Sequence, residues 1–254
     1  VVGKTRVRAW DAWLVIGLTV GIAAGVLFVA NRSGEFETGS AQSLPMLPPP
    51  PANAEFSDNF NRSDSRELGN GWKEVRGDLE IASNELRFSR RDEFGKKLRG
   101  YAIAVQSVLS GEEQSASLKF IPQGTDSDPR FGVVLRYKDA QNYYALYREA
   151  GKGQTSTVRI VKLLKGEETV LGSATIHNVR SGNAFRFEGR AVGSRLSVSI
   201  DGKAALTVED DHISSGLPGI YLGSQKDIAH RADDFKGTVS FAPHIKRFQS
   251  LNLN

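Results

Sequence analysis

Arg195-Leu196-Ser197-Val198-Ser199-Ile200-Asp201-Gly202-Lys203-Ala204-Ala205-Leu206-Thr207-Val208 decides the fold class. Leu196, Val198 and Ile200 alternate with other residues at the two-residue period of a strand that buries one face. Asp201-Gly202 supplies a two-residue hairpin turn, and residues 204–208 return as the partner strand. The same texture recurs in Asp78-Leu79-Glu80-Ile81, Glu85-Leu86-Arg87-Phe88, Ser115-Ala116-Ser117-Leu118-Lys119-Phe120 and Thr157-Val158-Arg159-Ile160-Val161. Gly, Asn and Asp separate these segments, and Lys165-Gly166 reads as a further turn. With no apolar period of 3.6 residues at helical length, this region is expected to be all-β, a sandwich or a barrel.

Upstream, residues 13–30 read Trp-Leu-Val-Ile-Gly-Leu-Thr-Val-Gly-Ile-Ala-Ala-Gly-Val-Leu-Phe-Val-Ala, with Thr19 the only polar side chain. As a helix rising about 1.5 Å per residue, the run approaches the ~30 Å of a bilayer core, so a single transmembrane α-helix is expected. It is longer than the apolar core of a cleavable leader and ends with Phe28 where a small residue would be needed. Gly17, Gly21 and Gly25 share one face, a strip on which another transmembrane subunit could pack. Lys4, Arg6 and Arg8 precede the run, which puts residues 1–12 in the cytoplasm and the rest outside it. The expected location is a bacterial inner membrane, crossed once and contacting its lipid, with a periplasmic domain.

Residues 31–54 form a Pro-rich linker in which Leu44-Pro45-Met46-Leu47 leads into four prolines, favouring extended polyproline II. It serves either as a stalk or as a strap with Leu44, Met46 and Leu47 as apolar anchors. The absence of cysteine excludes disulfides, thiolate metal sites and a cysteine nucleophile. A formal net charge of +4 with interleaved signs argues against nucleic acid as a partner.

Phe56-Ser57-Asp58-Asn59-Phe60-Asn61-Arg62, Leu68-Gly69-Asn70-Gly71-Trp72 and Gly77-Asp78-Leu79-Glu80-Ile81 open the outer domain. The stretch Phe131-Gly132-Val133-Val134-Leu135-Arg136-Tyr137 and the following Asn142-Tyr143-Tyr144-Ala145-Leu146 lie in its middle. Gly216-Leu217-Pro218-Gly219-Ile220-Tyr221-Leu222 and Ala232-Asp233-Asp234-Phe235 lie near its end. On these motifs residues 55–241 resemble the concanavalin A-like lectin/glucanase superfamily, including its laminin-G-like members. The resemblance implies a two-sheet antiparallel jelly-roll sandwich with adjacent first and last strands. It leaves function open, since this fold hosts lectins, hydrolases, adhesion modules and structural subunits.

A retaining glucanase of that superfamily carries Glu-x-Asp-x-Glu on one strand, which sets two carboxylates about 5 Å apart. That motif is absent, and the four histidines show no metal-ligand or triad spacing, so no catalytic residues are expected. In residues 142–147 the alternation puts Tyr143, Ala145 and Tyr147 on one face and Tyr144 and Leu146 on the other. If the second set is core, Tyr143 and Tyr147 with Arg136 or Arg148 form a candidate platform for carbohydrate or protein. Calcium is the cofactor to consider, with Asp58 and Asp233 or Asp234 as oxygen ligands on strands the resemblance makes neighbours; turn-capping is the ordinary role of such aspartates. The C-terminal tail, residues 242–254, spaces Ile245, Phe248 and Leu251 three apart, so that Phe248 and Leu251 either cover a sandwich edge or dock on a partner.

Three functions compete. The leading expectation is a non-catalytic single-span subunit whose sandwich scaffolds a larger membrane complex, respiratory or photosynthetic, since that would use the glycine strip and the tail. The alternatives are a membrane-tethered glycan-binding module of the cell envelope and a membrane-anchored glycoside hydrolase.

Overall fold

The computed structural model describes residues 54–88, 100–123, 129–150, 155–177, 183–224 and 230–240. The expected transmembrane helix with Gly17, Gly21 and Gly25, the linker anchors Leu44, Met46 and Leu47, and the tail residues Phe248 and Leu251 lie outside these. Among the described residues no helix is long and apolar enough to cross a membrane.

The described residues form fifteen strands in chain order: β1 (Ala54–Asp58), β2 (Trp72–Arg76), β3 (Leu79–Ala82), β4 (Glu85–Phe88), β5 (Gly100–Gln106), β6 (Glu113–Ile121), β7 (Arg130–Asp139), β8 (Asn142–Ala150), β9 (Ser156–Leu164), β10 (Glu167–Ile176), β11 (Phe185–Val192), β12 (Arg195–Ile200), β13 (Lys203–Glu209), β14 (Leu217–Ser224) and β15 (Arg231–Ser240). They form two antiparallel sheets. One has the order β13-β12-β11-β6-β15-β4-β3, with β1 added to β15; the other runs β10-β9-β8-β7-β14-β5-β2. Ala54 pairs with Val239 and Asp58 with Phe235, so the first and last strands are neighbours, as the resemblance implies. The turns follow local chemistry: Asp201-Gly202 and Lys165-Gly166 each take positive φ at both residues, the geometry whose twist suits a two-residue hairpin.

Between the sheets lies one apolar layer, built from alternate positions such as Leu118 and Phe120, Val133 and Leu135, Tyr144 and Leu146, and Leu196 and Val198. Trp72 closes it beside β1 and β15, edge-on to Phe235 with ring centroids 4.7 Å apart and also packed on Phe56 and Phe60. Its indole N–H is satisfied by Asp58 Oδ2 at 2.8 Å. The same carboxylate accepts the Phe60 amide, both terminal nitrogens of Arg62 and the Asn70 amide. One buried acid thus fastens residues 58–72 to the core. Burial alone would raise its pKa, but the bonds from Arg62, Phe60, Trp72 and Asn70 outweigh that and hold it below the ordinary carboxylate value.

Arg136 is the largest buried departure from the sequence reading. It sits at a register break of β7 with φ 51°, which turns it inward rather than toward Tyr143 and Tyr147. Its amide donates to Gln114 Oε1 at 2.8 Å, while its guanidinium donates to the carbonyls of Glu112, Ile213 and Gly193 at 3.0, 2.9 and 2.6 Å. Gln114 in turn donates to the Gly111 and Gly216 carbonyls. This knot ties together the turns at one end of the sandwich. A second pin is Asp210, which accepts Tyr144 Oη–H and Lys162 Nζ at 2.7 Å, while the Ile213 amide donates to the Tyr144 hydroxyl. Burial would raise the Asp210 pKa, but hydrogen bonds from Lys162, Tyr144 and the His212 amide lower it overall.

Two outcomes are expected. Arg136→Met leaves three carbonyls without their donor and should cost about 3 kcal/mol, read as a lower denaturant midpoint. Asp58 and Asp210 are both depressed on folding, so their contribution to stability is complete above pH of about 5 and lost as pH falls through their folded values. The melting temperature should therefore fall on acidification, and Asp210→Asn should flatten that fall.

Candidate functional site: the tyrosine face of the seven-stranded sheet

An antiparallel sheet in a sandwich ordinarily gives its outward face to water. The eight-stranded sheet does so: Ser115, Ser117, Glu188, Arg190, Lys236 and Thr238 line a polar groove on it. The seven-stranded sheet does not. Its outward face carries Ile103, Val105, Val134, Ala145 and Val161 together with Tyr137, Tyr143, Tyr147 and Tyr221, all buried, and the half-buried Tyr101. Five of the chain's six tyrosines are therefore on one outward face.

Strand register explains how they meet. Ile103, Tyr221, Gly132, Tyr147 and Arg159 lie in line across β5, β14, β7, β8 and β9. Tyr147 and Tyr221 are thus two strands apart, about 10 Å between backbones. Their rings nonetheless stack at 5.2 Å and 13°. Gly132 permits this, for it has no side chain to stand between them. A Cβ there would lie 2.0 Å from Leu146 O and 2.6 Å from Tyr147 Cα. Tyr101 stacks on the other side of Tyr221 at 4.7 Å and 22°. Gly223 lies opposite Tyr101, where a Cβ would meet the Tyr101 Cβ at 2.9 Å.

Cations flank this stack. The Arg76 guanidinium lies 4.0 Å from the Tyr101 ring centroid and that of Arg130 lies 5.3 Å from the Tyr147 ring. Arg130 Nε also donates to Glu149 Oε1 at 3.0 Å, and Arg159 Nε lies 3.5 Å from Glu149 Oε2. Tyr137 and Tyr143 form a second ring pair at 5.7 Å. Burial raises the pKa of Tyr143, Tyr147 and Tyr221, so all three remain neutral hydroxyls at physiological pH. Tyr147 is 5% and Tyr221 3% exposed, so the half-buried Tyr101 is the ring of this stack that reaches solvent. The arrangement is an aromatic floor with a charged rim.

Tyr144 and Leu146 pack between the sheets, and Tyr143, Ala145 and Tyr147 lie on the opposite face. The arginines differ from the sequence reading. Arg136 is inside, held by carbonyls, and Arg148 is also inside, its guanidinium 4.2 Å from the Phe185 ring centroid. Arg76, Arg130 and Arg159 take the place given to them. Spacing could not reveal Tyr221 or Tyr101, which come from distant strands. Gly132 inside an apolar strand was the available signal, since an interior strand glycine marks a close approach.

Asp58 and Asp234 do reach one polar cleft, of about 850 Å³, but Arg62, Arg186 and Lys236 line it too. A calcium ion at Asp58 would have to displace Arg62 and the Trp72 indole, because the carboxylate already accepts five hydrogen bonds. Asp233 Oδ1 accepts the Asp234 amide, and Asp234 faces Arg186 at 3.9 Å. Among the described residues no group of three or more His, Cys, Asp or Glu side chains is placed to hold a metal.

No family profile and no curated protein sequence matches the chain. Solved structures do. The carbohydrate-binding module CBM66 from Bacillus subtilis is 18% identical with a TM-score of 0.51, over 67% of this chain and 94% of that one. The CBM2 module of an evolved Dit protein from Lactobacillus casei BL23 phage J-1 is 12% identical with a TM-score of 0.50, over 74% of this chain and 96% of that one. A structure described with the endo-acting O-glycanases that human gut bacteria express to initiate mucin breakdown is 9% identical with a TM-score of 0.53, over 73% of this chain and 98% of that one. For the GH43 BlXynB protein from Bacillus licheniformis, the chain spans 39% of that protein's length. At these identities the likeness establishes the fold, a β-sandwich of the jelly-roll kind. The leading expectation from the sequence, a scaffold subunit of a respiratory or photosynthetic membrane complex, is corrected by these matches, which are named for carbohydrate binding and glycan breakdown.

The ring stack depends on Gly132, and Gly132→Ala should separate Tyr147 from Tyr221 and destabilise the domain by about 3 kcal/mol. Loss of near-ultraviolet tyrosine dichroism and a lowered melting temperature would report it.

Proposed function

We propose that the chain is a glycan-binding protein that holds a saccharide on the tyrosine face, without turning it over. The observation that carries this reading is the asymmetry of the two outward sheet faces, one polar and one paved with stacked tyrosines beneath an arginine rim. A row of aromatic rings edged by guanidinium groups carries the residue types of a saccharide site, with the half-buried Tyr101 as its accessible ring. Tyrosine offers a sugar both an apolar edge for its C–H groups and a hydroxyl for its oxygens, and guanidinium groups bridge adjacent hydroxyls in a fixed geometry. The likeness in fold to carbohydrate-binding modules supports the reading. The missing Glu-x-Asp-x-Glu motif favours binding over hydrolysis. In this proposal residues 13–30 tether the module to a membrane, with the domain outside the cytoplasm.

A single shallow site of this kind should bind in the millimolar to micromolar range, about 4–8 kcal/mol. Affinity electrophoresis of the full chain through gels containing different polysaccharides should show retardation by at least one. Tyr101→Ala, at the half-buried end of the stack, should reduce that retardation at least tenfold in Kd. Migration unchanged by every polysaccharide would remove the proposal.

A further inference from the structure

We infer that the ligand of the tyrosine face is an acidic oligosaccharide, with carboxylate or sulfate groups on more than one of its sugars. This rests on the glycan reading above and adds the class of glycan. Among the described residues three guanidinium groups stand on the rim, and Glu149 is a carboxylate shared by two of them. Arg76 lies over Tyr101 and has no carboxylate partner among the described residues. Arg159, with its side chain 37% exposed, is held among the described residues by a 3.5 Å approach of its Nε to Glu149 Oε2. Glu168, which pairs with Leu163 at the outer strand β10, is exposed, while Lys73, paired with Val105, adds a further exposed cation. Among these described residues cations outnumber carboxylates around the stack.

The cations are also separated in a way that suits a chain of sugars. Arg76 sits at the Tyr101 end, whereas Arg130 and Arg159 sit at the Tyr147 end. The intervening rings are spaced 4.7 and 5.2 Å apart. A ligand lying along the row would pack an apolar sugar edge on the half-buried Tyr101 and present one acidic group to Arg76 and another to Arg130 and Arg159. Planar guanidinium forks match carboxylate and sulfate oxygens in pairs, which a neutral hydroxyl cannot do as well.

The test uses the full chain in affinity gels containing polygalacturonate for carboxylate, a carrageenan for sulfate, and a neutral xylan, each at 0.15 M and roughly 0.5 M salt, where the Debye length falls from about 8 Å toward 3 Å. Retardation by one or both acidic polymers and not by xylan, weakened at the higher salt, is expected, and the polymer that retards identifies the acid. Arg76→Gln and Arg130→Gln should each weaken binding about tenfold. Arg190→Gln, on the polar face of the other sheet, should leave it unchanged. Xylan retarding as strongly as the acidic polymers would keep the glycan reading and overturn this inference. An equal effect of Arg190→Gln and Arg76→Gln would also overturn it, because general attraction to a basic protein would then explain the binding. Failure of every polymer to retard would overturn both.

Discussion

The closure of Tyr147 onto Tyr221 over Gly132 is the constraint on which the arrangement of the seven-stranded sheet depends. β7 and β8 sit near the middle of that sheet and are apolar on both sides, with Leu135, Tyr144 and Leu146 toward the core and Val134, Tyr143 and Tyr147 away from it. A strand with two apolar faces has weak register information of its own, since a slip by one residue exchanges one greasy face for another. The glycine removes that ambiguity. Only with Gly132 opposite Tyr147 can the backbones approach as closely as they do, so the pairing that builds the ring stack also selects the register of the core.

The interior ends are fixed by a different chemistry. Arg136 enters an apolar sandwich with no carboxylate ion pair among the described residues, and burial lowers its pKa. What keeps it there is a set of three backbone carbonyls, those of Glu112, Ile213 and Gly193, which accept from its guanidinium. The cation is thus a substitute for backbone pairing where strands end. Asp58 does the complementary task at β1, where a carboxylate collects backbone, indole, amide and guanidinium donors.

Much of the architecture was legible in the sequence because it rests on local rules. Alternation in residues 195–200, the Asp201-Gly202 turn and the two-faced stretch at residues 142–147 each fix their own conformation within a few residues. What was not legible depended on who stands beside whom. Tyr221 reaches Tyr147 because β14 lies next to β7, an adjacency that no spacing encodes. Arg136 looked like a rim residue because a regular alternation would have turned it outward, and the left-handed φ at that residue reverses it. Asp58 looked like a metal ligand because its acid was visible in the sequence while all five of its donors are side chains or amides folded back from residues 60–72.

The pairing of β1 with β15 has a mechanical consequence. Ala54 stands opposite Val239, so the chain enters and leaves the sandwich side by side, on the sheet opposite to the tyrosine face. Tension applied between those ends would not load all the β1–β15 hydrogen bonds together, as shear along the strands would. It would open them in sequence from the Ala54–Val239 end, reaching Asp58 and the Trp72 indole last. The anchoring carboxylate is thereby placed as the stop at the far end of a zipper.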